Sequence, residues 1–279
     1  MKLHTFTLGM VECTVLSDGT RPATAGDIAK LYGIEEKEVR SAYNGLGRDP
    51  DSSENHFNVL LVNTGKEVVL VDTGFGPQGA PSFGQAYAAL QSAGTAPEEV
   101  TTVVLTHLHG DHCVGLVDGT GSLTLPRARV FANRRDWHHY YEEKNAPDQV
   151  RAALEAVAGD VELYDFGDDI VAGLTAEDAH GHTPGHTALT FESEGAELFH
   201  AVDTLHRQIQ FARPDWSPGF DLAVDESVPT RRRILERLAK EGTLTLFYHL
   251  PFPGLGHVRE KDGTFAWDPA SPKTVQTGD

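Results

Sequence analysis

The run Thr106-His107-Leu108-His109-Gly110-Asp111-His112 places four side chains of metal-ligand type within six consecutive positions. Neutral imidazole and carboxylate both suit Zn²⁺ and its borderline neighbours, and neither brings redox chemistry of its own. Just upstream, Val100-Thr101-Thr102-Val103-Val104-Leu105 is β-branched and apolar, so a buried strand is predicted to end where the ligands begin. On an irregular turn His107 and His109 can face one ion while Asp111 and His112 swing toward a second. A helical H-E-x-x-H motif, with its histidines four apart on one face, is absent. The run reads as half of a two-metal hydrolase site.

Three separate places supply the other half. Ala179-His180-Gly181-His182-Thr183-Pro184-Gly185-His186 is a turn stiffened by Gly and Pro that presents several imidazoles. Leu198-Phe199-His200-Ala201-Val202-Asp203 reads as a short buried strand ending in a carboxylate, and Leu244-Thr245-Leu246-Phe247-Tyr248-His249 repeats the plan with a histidine. Strand ends and a turn converging on one edge can gather scattered residues into a metal centre.

In this order the elements resemble the metallo-β-lactamase superfamily over nearly the whole chain. The H-x-H-x-D-H signature appears as His107, His109, Asp111 and His112, the strand-plus-Asp element as Val69-Leu70-Val71-Asp72-Thr73-Gly74, and the remaining ligands as His182, Asp203 and His249. The resemblance implies an α/β (α+β) fold, a four-layer αββα sandwich of two mixed sheets flanked by helices, with residues 1–279 as one domain. It implies that His107, His109 and His182 hold one divalent ion, that Asp111, His112 and His249 hold the other, and that Asp203 touches both. Zinc is the first expectation, and an all-N/O donor set also accepts Mn, Fe, Co or Ni. Asp72 is expected to orient a ligand histidine from behind. With both ligand sets filled, His186 and His257 are expected to support ligands or stabilise turns. The family loop usually continues Val-Gly-Gly, whereas here His112 is followed by Cys113-Val114-Gly115, so that thiol either packs or tunes the site.

Asp203-Thr204-Leu205-His206 and Tyr248-His249-Leu250-Pro251-Phe252-Pro253-Gly254-Leu255-Gly256-His257-Val258 are similar to the branch containing methyl parathion hydrolase, which hydrolyses lactones, esters and organophosphates. Acyl-homoserine lactonases carry tyrosine where His206 stands. The resemblance implies a metal-bridging hydroxide acting on neutral or apolar esters, lactones or phosphotriesters. Asp203 would keep the ions in register, Asp111 would take a proton as the intermediate collapses, and His206 would either touch the substrate or pack behind the ligands. A glyoxalase-type thioesterase shares every ligand and is the alternative. A mononuclear iron dioxygenase needs His107, His182 and Asp203 alone, a flavodiiron protein wants a carboxylate at His109, and a noncatalytic binding module would have lost ligands. The resemblance also implies a homodimer.

A formal net charge of −18 repels nucleic-acid phosphate and disfavours strongly anionic substrates, so the expected partner is a neutral small molecule. The cluster Arg231-Arg232-Arg233 falls in a predicted helix whose apolar face is Val228, Leu235 and Leu238, and it reads as a solvated face. Apolar runs reach about six residues, far below the ~20 that span a bilayer. Met1-Lys2-Leu3-His4-Thr5-Phe6-Thr7-Leu8 has no sustained signal-peptide core, and Cys13 and Cys113 define no disulfide framework. A cytoplasmic protein without a membrane partner is expected.

Met10–Leu16 is predicted as the opening strand. Residues 21–51 are predicted as an insertion near the site with helical segments at Asp27–Leu31 and Glu35–Ser41, where Glu36 and Arg40 are spaced to pair. Phe57–Val62 and Glu67–Asp72 read as a hairpin, and Ser82–Ala93, Arg134–Lys144 and Asp148–Ala158 as helices. Adjacent His138 and His139 diverge on a helix, which argues against a second metal site there. Trp137 either walls a substrate pocket or joins the core. The polar stretch 269–279 reads as a loose tail.

Overall fold

Side-chain alternation along each strand decides the layers. In the computed structural model, which describes residues 2–77, 79 and 82–270, two mixed seven-stranded sheets pack face to face. The first comprises β1 (Leu3–Leu8), β2 (Val11–Ala23), β3 (Ser53–Asn63), β4 (Val68–Val71), β5 (Thr102–Leu105), β6 (Arg129–Asn133) and β7 (Glu162–Tyr164), in that spatial order. The second comprises β8 (Asp169–Val171), β9 (Leu174–Asp178), β10 (Thr187–Ser193), β11 (Ala196–Val202), β12 (Leu244–Phe247), β13 (Leu255–Lys261) and β14 (Thr264–Pro269), ordered β14 through β8 across the sheet. Val69 and Val71 of β4, Val104 of β5, Leu198 of β11 and Leu246 of β12 fill the space between the sheets. Their alternates point outward, with Leu70, Val103 and Leu105 under one helical layer and Phe199, Ala201 and Phe247 under the other.

Helices cover both outer faces. The insertion forms α1 (Ala25–Tyr32) and α2 (Glu36–Gly45), which share a small core of Ile28, Val39 and Tyr43 with Ile209. Then follow α3 (Ala86–Ser92), α4 (Gly110–Cys113), α5 (Arg134–Trp137), α6 (Asp148–Val157), α7 (Ile209–Ala212) and α8 (Val224–Glu241). Thr24 caps α1, and Arg40 Nη2 lies 2.7 Å from Glu36 Oε1 as the spacing predicts. Among the described residues no helix is long and apolar enough to cross a membrane.

Several boundaries depart from the sequence reading. Leu3–Leu8 is a strand, paired antiparallel to β2 from Leu3↔Leu16 to Leu8↔Val11, although its alternation is too short to stand out. β2 runs on to Ala23, so residues 21–23 belong to the sheet and the insertion starts at Thr24. The expected Arg134–Lys144 helix is one α-helical turn followed by a π-helical turn at His138–Glu142. Trp137 is buried in the outer core, 4.5 Å from the Tyr141 ring. Arg231 is 2% exposed and ion-paired, so the three-arginine cluster is not a solvated face throughout. Of the predicted tail, Pro269 ends β14, and 271–279 lie outside the described residues.

Candidate metal centre

Four strand ends meet at one edge of the sandwich. β4 and β5 run parallel and end at Asp72 and at the His107 loop, while β11 and β12 run parallel and end at Asp203 and His249. His182 arrives from the β9–β10 turn. Two of these exits are strained: Asp72 has φ +62° and Val202 φ +48°. Positive φ is a genuine outlier for a β-branched residue such as Val202 and costs on the order of 1–3 kcal/mol. A register shift between His200 and Val202 accompanies it and turns Asp203 into the cluster.

His107 Nε2 lies 3.2 Å from His109 Nδ1 and 3.7 Å from Asp203 Oδ2, and His182 Nε2 lies 3.4 Å from the same oxygen. On the other side His112 Nε2 is 3.6 Å from Asp111 Oδ2 and 3.5 Å from Asp203 Oδ1. His249 Nε2 is 3.5 Å from Asp111 Oδ2 and 3.1 Å from Asp203 Oδ2. Ligand atoms of His107, His109 and His182 fall within 4.8 Å of one another, as do those of Asp111, His112 and His249. Asp203 therefore stands between two sets, each able to hold an ion.

In three of the rings the remote nitrogen is committed elsewhere, which leaves the inward one free to ligate. His112 Nδ1 donates to Asp72 at 2.8 Å, His182 Nδ1 to Asp221 at 2.7 Å, and His249 Nδ1 to the His56 carbonyl at 2.9 Å. The inward His112 Nε2, His182 Nε2 and Asp203 Oδ1 are buried without hydrogen-bond partners. Orphaned donor atoms pointing at one another are what a cation would satisfy, so these residues fit divalent metal. Burial pushes the His107 imidazole well below its ordinary pKa, helped by His112. Burial opposes ionisation of Asp203 too, but His249, His112 and His206 outweigh it and hold that carboxyl well below the usual range.

His206 Nε2 lies 3.0 Å from Asp203 Oδ2, its ring stacks on His249 at 5.1 Å, and its Nδ1 is buried without a partner. His186 donates from Nδ1 to the Ala179 carbonyl and accepts the Asp203 N–H at Nε2, 3.1 Å away. His257 is not at the site. Pairing of β13 carries it to the far end of α8, where Nδ1 donates to the Gly242 carbonyl at 3.0 Å. Cys113 is fully buried in the outer core beneath the ligand loop, which is packing.

Sequence reasoning missed the carboxylates behind the ligands. Asp221 links His182 to Arg231, whose Nη2 donates at 2.9 Å. Buried Asp136 accepts the Leu108 N–H at 3.0 Å and the Thr183 hydroxyl at 2.8 Å, and also the Gly185 N–H, tying the first ligand loop to the second. Asp18, in the β2 bulge, accepts the N–H groups of Phe75 and Ala86, and burial raises its pKa to about 6. No local pattern marks any of the three.

Two cavities open on the cluster. One of about 330 Å³ is lined by Tyr43, Leu46, Arg48, Ser53, His56, His206 and His249, among others. The second, of about 500 Å³, is lined by Arg21, Lys30, Leu31, Asn55, His206, Arg207 and Phe220, among others. The Phe220 ring is 39% exposed and sits 4.8 Å from His206 and 5.7 Å from His182.

The fold and this arrangement define a metallo-β-lactamase-type protein, and a profile of the metallo-beta-lactamase superfamily matches residues 56–249, so the chain belongs to that family. Among solved structures it is similar to AidC, a dizinc quorum-quenching lactonase seen with a product, at 27% identity and a TM-score of 0.88, covering 96% of this chain and 97% of that one. The hydrolase AbOPH of the β-lactamase superfamily matches with the same identity, score and coverage. The lactamase-like protein aptB of Emericella nidulans is 30% identical over 141 residues, 50% of this chain and 37% of that protein. The chain spans between 22% and 60% of the length of the curated relatives it matches.

Proposed function

We propose that this chain is a dinuclear metal-dependent hydrolase that cleaves neutral or apolar lactones and esters, with phosphotriesters as the next class. The observation that carries the reading is Asp203, one carboxylate within 3.7 Å of imidazole nitrogens from both ligand sets. His107, His109 and His182 would hold one ion, Asp111, His112 and His249 the other, and Asp203 both. Zinc is the first choice, since AidC is described as dizinc. Bound divalent ions would polarise a carbonyl or phosphoryl oxygen and lower the pKa of a water toward neutrality.

The chain's own groups do the rest. Asp203, fixed through its N–H by His186, keeps the two ligand sets in register. Asp111 is part-exposed where the other ligands of its set are buried, which suits it to take the proton that the attacking water gives up and to hand it to the leaving oxygen as the bond breaks. Donation from His206 Nε2 to Asp203 leaves Nδ1 as an acceptor beside both cavities, where it would accept the O–H of the leaving alcohol once that oxygen has been protonated. Phe220 supplies an apolar wall at the mouth. Two buried free cysteines suit a reducing, cytoplasmic setting.

Metal analysis is the direct test, with about two Zn²⁺ or Mn²⁺ expected per chain after reconstitution. Binding of less than one would sink the dinuclear reading. A panel of lactones, aryl esters, phosphotriesters and S-lactoylglutathione tests the chemistry, and thioester turnover far above the rest would replace lactone and ester hydrolysis with thioesterase activity.

A further inference from the structure

The chain as a whole is strongly acidic, yet the larger cavity beside the metal centre is lined with the opposite charge. Arg21, Lys30 and Arg207 line it against a single acid, Asp27. Its Oδ2 accepts both the N–H and the hydroxyl of Thr24 at the start of α1, and its charge also acts on Arg21 and Lys30, so of the three cations Arg207 is the one this acid does not offset. Among the described residues, none of the three cations makes an ion pair.

Arg207 is the telling one. It is 7% exposed and sits next to His206 on the loop between β11 and α7. Its Nη1 donates to the Ser53 hydroxyl at 2.9 Å, while Nε is buried with no partner. A guanidinium taken out of water without a counter-ion is costly, and persists where something else supplies the acceptor. The edge left over carries Nε–H and an Nη2–H side by side, the fork that a carboxylate meets with two parallel hydrogen bonds. Leu31, Ala23 and Phe220 line the same cavity, so it offers apolar as well as cationic contacts.

We propose that this cavity is an acid-group subsite, in which Arg207, with Arg21 and Lys30, seats a carboxylate carried by the substrate remote from the bond that is hydrolysed. The inference rests on the hydrolase reading above and refines it, giving a substrate neutral at the reacting bond and anionic at its far end. It also reverses, for this one cavity, the expectation from net charge that anions are disfavoured. The overall negative field acts at long range and is screened beyond about 8–10 Å, whereas a buried fork acts at contact.

The test compares mono-4-nitrophenyl suberate with its methyl-capped diester on zinc-reconstituted protein, reading the ratio of kcat/KM for acid over capped ester. A ratio above five is expected for the parent, falling at least fivefold in the surface variant R21Q/K30Q and further in R207Q. A parent ratio at or below one, or one that survives both variants, overturns the proposal. Calorimetric titration with suberamate against suberamide reads the subsite without turnover. Tighter binding of the acid that weakens in R21Q/K30Q supports it, and equal binding, or binding the variant leaves unmoved, overturns it. Should neither ester be hydrolysed, the hydrolase reading fails, while the titration still decides the subsite.

Discussion

Asp221 accepts a hydrogen bond from His182 Nδ1 at 2.7 Å, and its second oxygen accepts one from Arg231 Nη2 at 2.9 Å. Arg231 donates further to the Thr204 and Pro214 carbonyls, so one buried guanidinium braces both the third histidine and the loop after Asp203. These interactions hold Asp221 well below the usual carboxylate range against the opposing effect of burial. Replacing it by Ala frees the His182 ring and strands Arg231. The expected result is metal affinity about 10–100-fold weaker and a loss of roughly 3–5 kcal/mol in stability. Asp221→Asn keeps an acceptor for His182 and should recover part of the affinity. Chelator competition reads this, and an unchanged zinc affinity in Asp221→Ala would remove Asp221 from the site.

What was legible in the sequence follows from range. The ligand loop, the hairpin and the apolar strands before Asp203 and His249 are local patterns, and each lies where spacing puts it. Asp221 meets His182 across 39 residues and Asp136 meets Leu108 across 28, so nothing near either aspartate advertises its task. Arg231 misled because consecutive arginines look solvated, although a helix separates them by about 100° each and turns one inward. Of the two roles expected for His257, ligand support or turn stabilisation, strand pairing leaves the second, because β13 carries it to the carbonyl that ends α8.

Asp136 is a second such brace, and its removal is informative because three donors depend on it. Leu108 N–H, Thr183 Oγ–H and Gly185 N–H all point at this one buried carboxylate. Each orphaned buried donor costs about 1–3 kcal/mol, so Asp136→Ala should lose at least ~3 kcal/mol. Urea unfolding of the metal-free protein isolates that loss from ligation. A change below ~1 kcal/mol would mean that water replaces the carboxylate and that the two ligand loops do not depend on it.

Acid sensitivity should come from histidines buried in neutral form. Burial lowers the pKa of both His186 and His200 to about 3. Unfolded, each titrates near 6.5, so between about pH 6.5 and 3 the unfolded chain binds more protons than the folded one. Stability is therefore complete above pH 6.5 and falls as pH drops through that window, by up to ~1.4 kcal/mol per pH unit for each group. His200 lies behind the cluster and ligates neither set, with Nδ1 near the Leu246 carbonyl and the Val202 N–H, and glutamine keeps a polar group for that N–H. His200→Gln should flatten the pH dependence of the urea midpoint by about one proton. A slope identical to the parent's would assign the sensitivity elsewhere.

Metal removal should destabilise the fold as well as silence the site. Without cations, His112 Nε2, His182 Nε2 and Asp203 Oδ1 have no partners, and the buried imidazoles face one another at short range. A ligand at a thousand times its Kd contributes about 4 kcal/mol, which for a chain of this size corresponds to roughly 10 °C in Tm. Dialysis against a chelator should lower Tm by that order, and stepwise Zn²⁺ addition should restore it in step with activity. The double substitution H107A/H249A, which takes one ligand from each set, should flatten that metal response. If the parent's Tm proves indifferent to chelation and to zinc, the cluster is held together by its own hydrogen bonds, and the case for a resident dinuclear centre fails with it.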